Sequence, residues 1–240
     1  MGRVSEIVKH LIIVNVIFFI ASIVFGELMY DLFAMHYPKN PDFIIWQPIT
    51  HMFMHGDTSH ILFNMFGLWM FGSPLEQMWG KKKFLFFYFS AGLGAAGLQL
   101  FANYIEIQSV FSLLNLNGIS LNSFNDILIN GSYDTNDLTN AYSLFNTTLV
   151  GASGAIYGVL VAFAFLFPNS ELMLIFLPIP IKAKYFVPAI ILMDLFSAFT
   201  GVSILSPSNT AFYAHVGGAL TGFIMLWYWK RNQFKDNRWN

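Results

Sequence analysis

The chain has 240 residues, of which 56% are hydrophobic, 18% aromatic and 10% charged, with a mean hydropathy of +0.57. Soluble domains carry roughly 25% charged residues, so an ordinary water-soluble protein is excluded. A net charge of −1 offers no basic field for nucleic acid, and the lack of cysteine removes disulfides, thiolate nucleophiles and cysteine-ligated metals together.

Uncharged runs mark the elements. No Asp, Glu, Lys or Arg occurs in 10–26, 58–75, 84–105, 138–170 or 195–229, and a helix needs about 20 mostly apolar residues to cross a hydrocarbon core roughly 30 Å thick. A first span is expected over 9–28. It follows Arg3 and Lys9 as a signal sequence would, but Ile12 to Phe25 contains no small-x-small cleavage site, so it is read as retained. Further spans are expected over 58–78, 84–104, 152–167, 185–200 and 212–229, the fourth and fifth being short for a full crossing. The apolar segment Leu172–Ile181 is interrupted by Pro178 and Pro180, and is expected to dip into or lie along the interface. The fold class is therefore an all-α integral membrane bundle of six spans in a single domain without internal repeats.

Basic residues orient it. With six spans, both termini and the 79–83 and 168–184 connections share one side, and that side holds Arg3, Lys9, Lys81, Lys82, Lys83, Lys182, Lys184, Lys230, Arg231, Lys235 and Arg238, 11 of the 12 basic residues; Lys39 falls opposite. By the positive-inside rule this is the cytoplasmic side. Trp227, Tyr228 and Trp229 before Lys230 fit an interfacial aromatic belt. The long polar stretch 105–148 lies outside; it carries Glu106, Asp126, Asp134 and Asp137, with Phe111, Leu113, Leu114, Leu116, Ile127, Leu128 and Ile129 interspersed to support order.

Polar groups in hydrocarbon are costly and point to function, and three clusters stand out. His51-Met-Phe-Met-His55-Gly-Asp-Thr-Ser-His60-Ile-Leu-Phe-Asn64 enters the second span from outside, with His60 and Asn64 one turn apart on one helix face. Gly151-Ala-Ser153-Gly154-Ala-Ile-Tyr157-Gly158 opens the fourth span, where small neighbours leave the Ser153 hydroxyl uncovered and a helix N-terminus offers free N–H groups. Ala214-His215-Val-Gly-Gly218-Ala-Leu-Thr-Gly222 opens the sixth, with Gly218 and Gly222 admitting a neighbouring helix. Taken singly, each is also an ordinary packing motif, a polar pair or a small-xxx-small contact.

Taken together they fall at one depth of one membrane face, and their chemistry is coherent. His215 can take the proton of Ser153, activating a hydroxyl that is otherwise a weak nucleophile, and return it to a leaving amine. His60, Asn64 and the Ser153 N–H can stabilise a tetrahedral oxyanion. Tyr157, four residues after Ser153, can pack on the His215 ring. Asp194, midway along the fifth span, is expected to sit too deep to orient His215, which leaves a Ser–His dyad.

At these residues the chain resembles the rhomboid family of intramembrane serine proteases. His55 and His60-x-x-x-Asn64 resemble its second-span motif, Gly151-x-Ser153-Gly154 its nucleophile motif, and Ala214-His215-x-x-Gly218-x-x-x-Gly222 its base-bearing sixth span, in the family's order and within its six-span layout over about 8–230. The resemblance implies a catalytic cavity open to the outer face, Ser153 as nucleophile, His215 as base, His60 and Asn64 at the oxyanion, and His55 as a neighbour contacting water or substrate. It also implies Gly151, Gly154 and Gly218 as supporting positions, Glu76 as a structural one, and the fifth span with the 201–211 loop as gate and cap. The 29–50 connection lacks the Trp-Arg pair of many relatives, and 105–148 is longer than in minimal bacterial members.

The implied activity is hydrolysis of single-span or multi-span membrane-protein substrates within the lipid bilayer, with no cofactor and no metal. A zinc site would want His-Glu-x-x-His, and 51–55 has no glutamate; an aspartyl dyad needs a second intramembrane Asp beside Asp194. The alternatives are a catalytically silent relative that binds and routes membrane helices and a small transporter, the latter expected to show repeated halves. With no appended domain or targeting segment, a bacterial plasma membrane is expected.

Overall fold

The first helix, α1 (Glu6–Phe25), is apolar on every side. It buries Val8, Leu11, Asn15 and Ser22 but leaves Ile13, Ile17, Ile20 and Ile23 exposed, as expected of a helix whose second solvent is lipid. Its first turn has N–H groups with no helical acceptor. The buried carboxylate of Glu76 fills that role, accepting from the N–H of Ile7 (2.9 Å) and Val8 (3.0 Å) and from the Ser5 hydroxyl. Gly26, at φ +55°, ends α1 three residues before the expected limit and turns the chain into α2 (Glu27–Phe33).

These features come from a computed structural model, which describes residues 3–116, 120–130, 136–174, 177–202 and 211–236. A short α3 (Gln47–Thr50) and a 3₁₀ turn (His51–Phe53) precede the second helical stretch: α4 (Thr58–Gly67), a π-helical turn (Leu68–Gly72) and α5 (Ser73–Trp79) in direct succession. Gly80, at φ +79°, reverses the chain into α6 (Lys81–Asn115). At 35 residues, α6 is ~52 Å long, longer than a ~30 Å hydrocarbon core requires, and it runs past the expected end at 104. There it packs with α7 (Leu121–Asn130) and α8 (Asn136–Asn146) around a second core of Tyr37, Ile107, Val110, Phe124, Leu128, Leu138, Ala141 and Phe145. The 105–148 stretch is thus a small helical cap, and Asn40 ties it to the 29–50 connection by donating to the carbonyl of Phe145 (3.1 Å).

The main core surrounds α9 (Ser153–Leu166), which is buried on nearly all sides against α6, α10 (Ala183–Thr200) and α11 (Phe212–Asp236). Backbone meets backbone between α9 and α11: a Cβ at Gly222 would come within 2.8 Å of Gly158 Cα, and one at Gly158 within 3.0 Å of the Gly218 carbonyl. This is the close approach that small residues permit. The segment between α9 and α10 departs from the all-α expectation. It forms an antiparallel hairpin, β1 (Glu171–Leu174) and β2 (Leu177–Lys182), pairing Glu171 with Lys182 and Leu172 with Ile181. Pro178 and Pro180 have no N–H to sustain a helix, whereas a two-stranded edge tolerates them.

Among the described residues α1, α6 and α10 are long and apolar enough to cross a membrane, and α9 is apolar but shorter. The molecule is a mostly helical membrane protein. Residues 203–210 of the expected 201–211 cap, with Asp134 and Arg238, lie outside the described residues.

Candidate active site

Ser153 is the first residue of α9, and the chain reaches it through Gly151 at φ +119°. That conformation is strained for any residue with a side chain, and space excludes one as well: a Cβ there would lie 2.8 Å from His60 Nε2 and 3.7 Å from Ser153 Oγ. The His60 ring and the Ser153 hydroxyl therefore both border the space that the missing Cβ of Gly151 leaves open. The Gly151 N–H donates to the His51 carbonyl (2.9 Å), and Met35 pairs with Leu149 as an isolated bridge, so the strand entering the site is held by the 29–57 segment. The N–H of Ile156 is the first in α9 to meet a helical carbonyl, that of Ala152 at 3.0 Å, which leaves the Ser153 N–H among the unpaired donors of the first turn.

Ser153 Oγ lies 2.9 Å from His215 Nε2. His215, on the first turn of α11, is 7% exposed, and Tyr157 stacks on its ring with centroids 4.1 Å apart and planes 14° apart. On the ring's other edge Nδ1 lies 2.8 Å from Asp194 Oδ2, and Asp194 is itself 5% exposed. The expectation that Asp194 sits too deep is corrected. Measured from their ends at the lysine-rich side, Asp194 stands ~17 Å along α10 from Ala183 and Ser153 ~20 Å along α9 from Leu166, so the two are nearly level. Because α9 is short, its far end lies level with the middle of α10, and His215 bridges the carboxylate there to the serine. The Tyr213 hydroxyl, donating to the Ala198 carbonyl (3.0 Å), ties the start of α11 to α10 beside this pair.

The second-span cluster also assembles. Asp57 caps α4, accepting from the Ser59 hydroxyl (2.5 Å) and the His60 N–H (2.9 Å), and these bonds hold its carboxyl below the usual carboxylate range. The Asn64 amide donates to His55 Nε2 (3.0 Å), and the His55 and His60 rings meet edge to face at 4.9 Å. Burial, with His60 nearby, pushes His55 down to about 4, and burial pushes His51 down to about 4. Both are thus neutral near pH 7. A small cavity of about 10 Å³ lies beside Ser153, lined by His51, Gly151, Gly154 and Ala214 among others; this is about the least space that holds one water. Among the described residues no cluster of His, Asp or Glu is arranged to hold a metal ion.

The expected site residues are thus linked by a chain of contacts: His215 is bonded to Ser153 with Tyr157 on its ring, His60 borders Gly151, His55 touches His60 and bonds Asn64, and Gly154 and Gly218 lie at the contact of α9 with α11. Asp194 is the addition. Its sequence signal was an acid in an otherwise apolar span, and the helix crossing decides what it touches.

The family model for the Rhomboid domain matches residues 42–232. An uncharacterized mitochondrial rhomboid protein of Schizosaccharomyces pombe is 28% identical over 216 residues, covering 78% of this chain and 52% of the relative. The rhomboid protease AarA of Providencia stuartii is 26% identical over 190 residues, covering 75% and 54%. The rhomboid protease GlpG of Haemophilus influenzae is 32% identical over 84 residues, covering 34% and 42%. The chain spans about half the length of the curated relatives it matches.

Proposed function

The chain belongs to the rhomboid family, and from that premise we propose that it is an intramembrane serine endopeptidase. It hydrolyses a peptide bond in or beside the outer end of a substrate's transmembrane helix. The observation that carries this reading is the continuous hydrogen-bonded line from Ser153 Oγ through the His215 imidazole to Asp194, with unpaired donors next to the hydroxyl.

The steps follow from the geometry. His215, its Nδ1–H donated to Asp194, presents the Nε2 lone pair to the Ser153 hydroxyl and takes its proton as Oγ attacks the scissile carbonyl carbon. The oxyanion that forms is met by the Ser153 N–H and by the side chains of His60 and Asn64; one such donor is typically worth about 10²–10³ in rate. His215 then protonates the departing amine, and water, activated by the same imidazole, releases the acyl group from Ser153. Asp194 keeps the ring in the required tautomer and balances the transient imidazolium, so the dyad becomes a triad drawn from α9, α10 and α11. Neutral His55 accepts from Asn64 and thereby aims its amide.

We read the helical segments as six crossings: α1, α4–α5, α6, α9, α10 and α11. Both termini lie on the lysine-rich side, which is cytoplasmic in a plasma membrane. With its Leu166 end at that boundary, α9 reaches ~21 Å into a ~30 Å core, so Ser153 stands ~9 Å below the opposite boundary, in a hollow open to the outer face. Helix-weakening residues near the scissile bond would assist, because an intact helix hides its carbonyls in hydrogen bonds.

The test is incubation of purified protein with a single-span substrate beside Ser153→Ala and His215→Ala. Cleavage by the wild type alone is expected, and near-native cleavage by either variant would refute the assignment. A fluorophosphonate probe that labels the wild type but not Ser153→Ala separates an enzyme from a silent helix-binding relative.

A further inference from the structure

A cleft of about 560 Å³ opens on the side of the bundle between α9, α10 and α11, and neither Ser153 nor His215 lines it. Its walls include Phe165, Pro188, Leu192, Leu220 and Phe223, and its single charged lining residue is Lys184. Sequence and packing both hold it open. Pro188 interrupts α10 facing the cleft, removing the bond to the carbonyl one turn earlier, while the glycines that draw α11 onto α9 have no counterpart on α10. Leu192, Leu220 and Phe223 remain about half exposed or more within it.

One end is marked by charge. Lys184 begins the cleft on α10, and the Lys230 ammonium of α11 lies 4.9 Å from the centroid of the Phe165 ring, which forms the cleft wall on α9. Two cations from two helices thus stand at the same end, and among the described residues no carboxylate pairs with either. An occupant must bring apolar length and a negative end. Along α10 the cleft runs from Lys184 to Leu192, ~12 Å at helical rise, and an acyl chain ending in an anionic headgroup supplies both the length and the charge.

We propose that this cleft is a binding site for an anionic phospholipid, its phosphate held between Lys184 and Lys230 and its acyl chain lying along Pro188, Leu192, Leu220 and Phe223. The chain's far end reaches the level of Asp194, so the lipid wedges α10 against α11 beneath the catalytic line. The proposal stands on the cleft and its two lysines and is independent of the protease reading.

The full chain, purified in detergent, would be examined by native mass spectrometry after equilibration with phosphatidylglycerol or with phosphatidylcholine of the same acyl chains. A basic residue near an anionic lipid surface contributes about fivefold in affinity, so Lys184→Gln with Lys230→Gln is expected to reduce phosphatidylglycerol retention about 25-fold. Lys182→Gln, on the neighbouring strand end and outside the cleft, is the control, expected to leave retention within about twofold on the same scale. Leu220→Trp, at a half-exposed position that filling does not strain, is expected to abolish retention with both lysines intact. Equal retention of the two lipids, an equal effect of Lys182→Gln, or full retention by Leu220→Trp would each overturn the site. So would a result in which Leu220→Trp weakens binding of a transmembrane substrate but not of lipid, which would assign the cleft to a protein helix.

Discussion

Changing Asp194 to Asn keeps the side chain's shape and removes its charge. In the resting enzyme little changes, because a neutral amide still fills the place. In the transition state His215 becomes an imidazolium with Nδ1 2.8 Å from the carboxylate oxygen. At an effective dielectric of about 20 that pair is worth ~6 kcal/mol, whereas a neutral hydrogen bond in its place contributes about 1–1.5 kcal/mol. The difference of ~4.5 kcal/mol corresponds to about three decades in rate. If the amide turns its NH₂ toward Nδ1, the ring is held in the tautomer whose Nε2 already carries a proton, and a comparable loss follows from that alone. Asp194→Asn is therefore expected to lower kcat about 10³-fold with KM nearly unchanged, in single-turnover cleavage of a transmembrane substrate in liposomes. Labelling by a fluorophosphonate should slow in parallel. Nitrogen NMR of His215 would report the tautomer, a readout that a purely structural role for Asp194 would not move. A kcat within about threefold of wild type would refute the triad and return the mechanism to Ser153 and His215 alone; the threshold is well below the roughly tenfold that one uncharged hydrogen bond would represent.

Three further outcomes are expected. Gly151→Ala forces a methyl group toward His60 Nε2 from a backbone at φ +119°, so cleavage should fall by about 10²-fold or more, the loss of one oxyanion donor, and the strained backbone should also cost about 1–3 kcal/mol of stability, read as a lower melting temperature; unchanged activity would show that His60 has no part at the oxyanion. Glu76→Ala strips the acceptor from the N–H groups of Ile7 and Val8, and should cost about 1–3 kcal/mol of stability, read as a lower melting temperature, with Glu76→Gln retaining most of it. For pH, burial holds His51 and His55 at about 4 in the folded protein against about 6.5 unfolded. Between those values the unfolded chain binds more protons, so stability rises with pH. The contribution is complete above about pH 6.5 and lost as pH falls to about 4. Melting temperature should drop over that window, less steeply in His51→Gln; equal slopes would show that His51 is protonated when folded.

Much of the architecture can be read from the chain because hydrocarbon leaves few options: an uncharged run must satisfy its own backbone, and a helix is how a single segment does so. Limits that depend on hydropathy alone fare worse. Hydropathy alone ends the third span at Tyr104 because Glu106, Gln108 and Ser109 follow, yet α6 continues to Asn115. Those residues suit a helix as well as a loop, and Ile107 and Val110 find a core only once α7 and α8 fold back on them. The hairpin at 171–182 was concealed in the same way, since its prolines exclude a helix without stating that the two arms pair.

The site divides along the same line. Ser153, His215, His60 and Asn64 declare themselves by chemistry, being polar groups at one depth where each is expensive to keep, and Gly151 and Gly218 sit where only a glycine's lack of a Cβ allows the approach. By itself, then, the chain determined the bilayer as its solvent and singled out a serine and a histidine as polar groups in apolar helices. The partnership of Asp194 with His215, and the open groove between α10 and α11, were decided by tertiary structure alone. Both depend on how α10 crosses α11, and a crossing is set by the shapes of packed surfaces that residue order does not display.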